Sequence, residues 1–242
     1  MHSVMEIEII RSSDRGRTES EWLESRHLFS FGQYHNLQRI NFGTLRVFNE
    51  DIVKPGKGFA THAHDNMEIV TIVLKGELKH KDNLGNEMIL KKGDVQRMSA
   101  GSGIKHSEYN NSSTKKAHFL QIWVYPEERD MAPSYEQKHF TPKQLKNALF
   151  PIVSKIPEDR GLTIHQTATF FRADLDEGQG FVYTPVSKGN GDFLFVMGGE
   201  IALGDKVLKE GDTALISHPE QVQIEALCSS KILLIEVGLL TL

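Results

Sequence analysis

Cysteine is almost absent from this chain. The single Cys228 excludes an intramolecular disulfide framework and any cysteine-based zinc site. Long apolar runs are missing too: no stretch approaches the ~20 residues needed to span a bilayer. The opening "MHSVMEIEIIRSSDRG" lacks the continuous apolar core of a secretory signal. Neither sign of charge dominates. With 28 Lys+Arg against 32 Asp+Glu, the net charge of −4 gives no electrostatic reason to expect nucleic acid or an anionic membrane as a direct partner. The expected compartment is a reduced cytoplasm, and 242 residues with 39% hydrophobic content suit one large globular domain or two small ones.

What the chain has in abundance is short β-forming runs. "TLRVFN", "MEIVTIVLKG", "HFLQIWVYP", "DFLFVMGG", "TALISHP" and "KILLIEVG" are rich in Val, Ile, Phe or Leu, with turn signals such as "NLGNE", "KKGD" and "KGNGD" between them. This spacing predicts an antiparallel sandwich or barrel. One stretch, "TPKQLKNALF", predicts a helix, with Thr141 as N-cap and Pro142 at the first helical position. The natural division falls between residues 140 and 162.

An internal repeat supports two units. "VLKGE" at 73–77 returns as "VMGGE" at 196–200, and "LKKGD" at 90–94 returns as "LKEGD" at 208–212. The glycines are 17 residues apart in the first copy (Gly76 to Gly93) and 12 in the second (Gly199 to Gly211), as expected if one hairpin is shorter.

Histidine carries the chemistry. On a strand every second side chain shares a face, so His62 and His64 of "THAHD" point together, as do His106 and Glu108 of "KHSEYN". With 11 histidines, chance alone supplies roughly half an H-x-H in such a chain, so either pair by itself is weak. If the two segments lie side by side, three imidazoles and a carboxylate converge. Such a set suits one divalent transition metal ion with coordination positions left open.

The arrangement of the two pairs resembles the two signature motifs of the cupin barrel. Gly56, His62, His64, Glu68 and Gly76 fit the first, with one extra residue before the last glycine; Gly103, His106 and Asn110 fit the second, where Ser99 stands near the place of a usual proline. "GFATHAHDNMEIVT", "MSAGSGIKHSEYN" and "DRGRTESEWLESRHLFSFGQY" together resemble the bacterial pirin-like bicupins, from about Asp14 to Phe140 and more thinly beyond. The resemblance implies an all-β bicupin: two antiparallel jelly-roll β-barrels packed together with a few short helices, with a metal-binding cupin over residues 1–145 and a metal-free one over 146–242. It also implies His62, His64, His106 and Glu108 as ligands. The ion is expected to be iron foremost, with nickel, copper, manganese, cobalt and zinc fitting the same donors. Glu68 competes with Glu108 for the last place. On an unbroken strand Glu68 would stand ~13 Å from His64, and it could reach the ion only if the chain turned between Asp65 and Met67. The resemblance favours Glu108, leaving Glu68 a lining or supporting residue.

Bacterial pirin-like proteins are associated with quercetin 2,3-dioxygenase activity, which implies a flavonol and dioxygen as partners and Glu108 as general base for the 3-hydroxyl proton. Eukaryotic pirin implies a different function, a metal- and redox-dependent regulator acting through protein partners, and a sugar-binding or structural cupin is a third reading. A bicupin covers within one chain the surfaces that single cupins bury by dimerising, so a monomer is expected.

Applying the first copy's offsets to the second places Pro185, Ser187, Ile224 and Ala226 where ligands would stand, and none can replace an imidazole or carboxylate. His165 and His218 have no paired donor there. His27, Phe29 and Phe31 of "HLFSF" are either a wall over the metal mouth or an edge strand with core residues. Trp123 and Tyr125 are expected in the core, His118 at the surface or behind the ligands, and Cys228 as a small packing residue.

Overall fold

Along Ile104–Asn110 side chains alternate buried and exposed without a break, the signature of a strand with one face on a core. Most of the chain follows that plan. The structure, a computed structural model, describes residues 5–156, 160–187 and 189–239. The chain ends and Lys188 of the predicted "KGNGD" turn lie outside the described residues, as does part of the predicted boundary.

The first strands are β1 (Glu6–Ile10), β2 (Gly16–Glu19), β3 (Leu23–His27), β4 (Leu45–Val53), β5 (Gly58–His64) and β6 (Glu68–Lys75). They are followed by β7 (Glu77–Asp82), β8 (Glu87–Lys91), β9 (Asp94–Ser99), β10 (Ile104–Asn110), β11 (Ala117–Val124) and β12 (Ser134–His139). After helix α1 (Pro142–Leu145) come β13 (Phe150–Ser154), β14 (Leu162–Thr163), β15 (Ala168–Leu175), β16 (Gly180–Tyr183) and β17 (Asn190–Gly198). The last are β18 (Glu200–Leu203), β19 (Lys206–Lys209), β20 (Thr213–Ser217), β21 (Val222–Ala226) and β22 (Ser230–Gly238).

Each module pairs a seven-stranded sheet with a four-stranded one. The first joins β12-β9-β6-β11-β4-β3-β2 to β5-β10-β7-β8, the second β1-β20-β17-β22-β15-β13-β14 to β16-β21-β18-β19. Pairing is antiparallel as expected, except that β13 and β14 run parallel. Sheet membership changes between His139 and Phe150, inside the expected boundary region. The N-terminus departs from a contiguous division, however: β1 is hydrogen-bonded to β20 of the second module. The sheets bury a continuous core in which Phe48 stacks against Phe193 and Phe195 (ring centroids 4.6 and 4.8 Å apart).

The repeat has a physical basis at its turns. Gly76 and Gly199 both sit in the left-handed region (φ +76° and +82°), where a β-carbon would lie 2.6 Å from the Lys116 carbonyl oxygen or 2.4 Å from Ser230 Oγ. In both "KxGD" copies the aspartate caps the turn: Lys91 N donates to Asp94 Oδ2 (2.8 Å), and Lys209 N to Asp212 Oδ2 (3.1 Å).

The helix is shorter than its sequence predicts. Gln144 Oε1 accepts from Thr141 N (3.0 Å), but the helix ends at Leu145, because Asn147 adopts a left-handed φ of +52° and Phe150 already opens β13. Among the described residues no helix is long and apolar enough to cross a membrane.

Candidate metal centre

β5 and β10 lie side by side, and their register sets the site. His106 stands opposite His62 and Ile104 opposite His64; a β-bulge then shifts the pairing so that Glu108 faces Phe59. The extra residue in β5 lets Phe59, an odd position, share a face with His62 and His64. One ring nitrogen from each of His62, His64 and His106 lies within 4.8 Å of the others. The His64 ring meets the other two edge to face and the His62 and His106 rings are tilted, with centroids 4.5–5.0 Å apart.

Ring protons are placed to leave donors bare. His62 Nδ1 donates to the Ala60 carbonyl (2.8 Å), which turns its Nε2 into an acceptor. His106 Nδ1 faces His80 Nδ1 at 3.5 Å, and His80 Nε2 in turn meets Asp82 Oδ2 at 3.0 Å. The carboxylate accepts from His80 Nε2–H, which leaves His80 Nδ1 as the acceptor for His106 Nδ1–H and keeps the proton off His106 Nε2. That Nε2 is buried and has no partner. Burial, and secondarily the neighbouring rings, hold His64 down to about 4 and His106 to about 2, so both are neutral imidazoles. An orphaned, neutral ring nitrogen beside two others fits a divalent metal ion.

Glu108 does not complete a four-membered cluster of donors. It groups instead with His106 and His80, again within 4.8 Å. Its Oε2 accepts from Gln121 Nε2 (2.7 Å), while Thr71 Oγ1 lies 2.8 Å from Gln121 Oε1 and 3.5 Å from Glu108 Oε1. One hydroxyl proton serves one acceptor well, so the short contact to Gln121 wins and Oε1 has no close donor. Burial, aided by the charge of Asp51, pushes the Glu108 carboxyl up to about 7. Glu68 lies elsewhere. The chain does turn after His64, with Asn66 at φ +46°, yet Glu68 points away and accepts from Ser99 Oγ (2.9 Å) and the His165 amide (3.4 Å).

His62, His64 and Glu108 line a cavity of about 670 Å³, within the ~300–1,000 Å³ range of small-molecule sites. The wall reading of "HLFSF" holds for His27 and Phe31, which line the cavity, while Phe29 is in the shared core. The segment is not an edge strand, because β3 ends at His27 and lies inside β2. Trp123 packs against the Ile69, Met98 and Ile104 core cluster as expected and also forms cavity wall, edge-on to His64 (4.8 Å) and Phe31 (5.4 Å). Tyr125, also expected in the core, is exposed, since β11 ends at Val124. His118 Nε2 bonds Glu50 Oε1 (2.9 Å) away from the ligands, and Cys228 is half-buried.

Asn49, Asp51, Thr71, His80 and Gln121 were not singled out from the sequence. His80 had a signal, since "KHKD" repeats the histidine-x-acid spacing of "KHSE". The others are brought together only by strand register.

The second module has no counterpart among the described residues. Phe181 opposes Ile224 as His62 opposes His106, so Phe181 and Tyr183 stand where the offsets had put Pro185 and Ser187. The β16 offsets slip by four residues because Tyr183 stands 16 residues before Gly199 where His64 stands 12 before Gly76, while the offsets to Ile224 and Ala226 hold. Ile224 and Ala226 are buried in one apolar cluster with Leu194, Ile201 and Leu234.

Known proteins carry the same plan. The pirin family profile matches residues 10–124, and a quercetinase C-terminal cupin domain profile matches residues 151–237. Quercetin 2,3-dioxygenase of Escherichia coli strain K12 is 35% identical over 227 residues, 94% of this chain and 96% of that one. A pirin-like protein of Caulobacter vibrioides is 34% identical over 224 residues, 92% and 96% of the two chains. The crystal structure of an E. coli bacterial pirin in complex with nickel(II) superposes with a TM-score of 0.92 at 34% identity, covering 97% of this chain and all of that one.

Proposed function

The chain belongs to the pirin family, and from that premise we propose that it is a metal-dependent dioxygenase cleaving flavonols such as quercetin. The reaction incorporates both atoms of dioxygen, opens the central ring and releases carbon monoxide. The observation that carries this reading is the meeting of three imidazole nitrogens, with the buried Glu108 carboxylate beside His106, next to an aromatic-lined cavity.

His62, His64 and His106 would hold the ion, with Glu108 as the carboxylate of the set. Iron is the favoured metal, and nickel, copper, manganese, cobalt and zinc share its donor chemistry. When bound, the ion supplies Lewis acidity toward the substrate's hydroxy-ketone face and redox contact with dioxygen.

The chain's own groups do the rest. Glu108, with a pKa near neutrality, accepts the flavonol 3-hydroxyl proton on Oε1. Gln121 holds Oε2, so the carboxyl cannot turn away as it changes protonation. Trp123, Phe31 and Phe59 flank a planar ring and keep water from the reacting face.

Wild-type protein loaded with metal is expected to bleach the near-UV absorbance of quercetin in air. Glu108→Ala is expected to lower kcat by about 10²–10⁴-fold. Full metal occupancy together with full turnover in that variant would remove Glu108 from the mechanism.

A further inference from the structure

Opposite the metal-binding strands, the cavity is closed by β3 and β4, and that wall is polar. Register places Ser25 beside Asp51 and His27 beside Asn49, so all four side chains share one face. All four line the cavity.

Their hydrogen bonds leave two groups unspent. Asn49 Oδ1 is an acceptor, so the proton of the 2.8 Å contact belongs to His27 Nδ1. His27 Nε2 is then an acceptor for the Thr18 hydroxyl at 2.9 Å. With Asn49 Oδ1 occupied, its amide NH₂ is what Asn49 can offer the cavity. Asp51 is 3% exposed, and its Oδ1 is buried without a hydrogen-bond partner. The Ser25 hydroxyl contacts His27 Nδ1 (3.5 Å). Ser25 hydrogen-bonds the Asp51 carboxyl, and the desolvated Oδ1 left without a donor is an attractor for one brought by a ligand.

We propose that Asn49 and Asp51 form a recognition subsite for a ring bearing adjacent hydroxyl groups, a catechol, on the cavity wall that carries no histidine ligand. The pair stands two residues apart on one strand face, about 6.7 Å along β4. At that backbone spacing a single hydroxyl, reaching ~2.8 Å each way, serves one of the two side chains better than both. Two hydroxyls on neighbouring ring carbons span it, one accepting from the Asn49 amide and the other donating to Asp51. An apolar ring in the same place would leave both protein groups unpaired. Specificity would thus come from a strand that holds no ligand of the metal. This assignment rests on the flavonol reading of the cavity, because it presumes that the hydroxy-ketone face is the one turned to the histidines.

The test is binding without turnover. Protein loaded with zinc, which has no redox chemistry, is titrated by tryptophan fluorescence with quercetin and with 3-hydroxyflavone. The second compound keeps the hydroxy-ketone face but lacks every other hydroxyl. Wild type is expected to prefer quercetin by about tenfold or more. Asp51→Leu should erase the preference by weakening quercetin alone, and Asp51→Asn, which keeps an acceptor oxygen, should retain part of it. Equal affinities in the wild type, or an unchanged preference in Asp51→Leu, overturn the subsite. If Asp51→Leu does not fold, an unchanged preference in Asn49→Leu does the same. Dioxygen uptake by the iron-loaded protein is scored separately. Preference without uptake keeps the subsite and removes the dioxygenase reading, whereas uptake without preference does the reverse. Binding of neither flavonol removes both.

Discussion

Which nitrogen of each ring carries a proton decides what the histidines can do. His62 and His106 offer the shared donor cluster a bare Nε2 because their Nδ1 protons are spent on the Ala60 carbonyl and on His80. The Asp82–His80 pair therefore acts on the metal site without facing the cavity. Replacing His80 with Phe is expected to weaken metal affinity about 10–100-fold, read by competition against a chelator; unchanged affinity would show that the relay does not orient His106. At this scale the sequence was informative where spacing along one strand sufficed. His62, His64, His106 and Glu108 were legible because i, i+2 alternation is a local property. Asn49, Asp51, Thr71 and Gln121 come from β4, β6 and β11, and nothing in any one segment records that they share a face with Glu108. Glu68 sat in a motif position, but its direction depended on a turn at Asn66 and on Ser99 across the sheet.

Among the elements, turns and registers were read with unequal success. The repeated "KxGD" pieces were legible because each encodes its own turn, a left-handed glycine followed by an aspartate that caps a backbone amide. The bulge in β5 and the early stop of α1 were not. Both depend on partners far along the chain, β10 for the bulge and, for the stop, Asp174, whose carbonyl receives the Asn147 amide at 2.8 Å. The pairing of β17 with β22 carries a pH dependence of its own. It sets Asp192 against Glu236, and burial, with that neighbouring charge second, pushes the Asp192 carboxyl from 3.8 up to about 8. The folded protein keeps a proton that the unfolded chain has released. The stability tied to this group is therefore complete below about pH 4 and lost as the pH rises through about 8, at ~1.4 kcal/mol per pH unit between. Asp192→Asn is expected to flatten the decline of Tm from about pH 5 to 8. A variant as pH-sensitive as the wild type would place the slope elsewhere.

For the whole molecule, the duplication has produced two barrels with different contents. The first keeps a cavity and its donors, while the second has replaced the equivalent positions with Phe181, Tyr183, Ile224 and Ala226, and the last two are buried in an apolar cluster. The bicupin plan was legible from the repeat, yet the exchange of β1 into the second module's sheet was not, because a terminal strand carries no sign of its partner. The division of labour makes a direct prediction. Ile224→Ala is expected to cost about 2–5 kcal/mol in denaturant unfolding while leaving metal content per folded chain unchanged, and loss of metal in that variant would mean the second barrel shares in the site. The central claim is that the donors of the first barrel support flavonol cleavage. Its most direct test is the carbon monoxide released by metal-loaded protein for each quercetin consumed in air. The account predicts one for one, with dioxygen uptake to match and loss of both in His106→Ala; quercetin consumed at the rate of free metal alone, with no carbon monoxide, would contradict it.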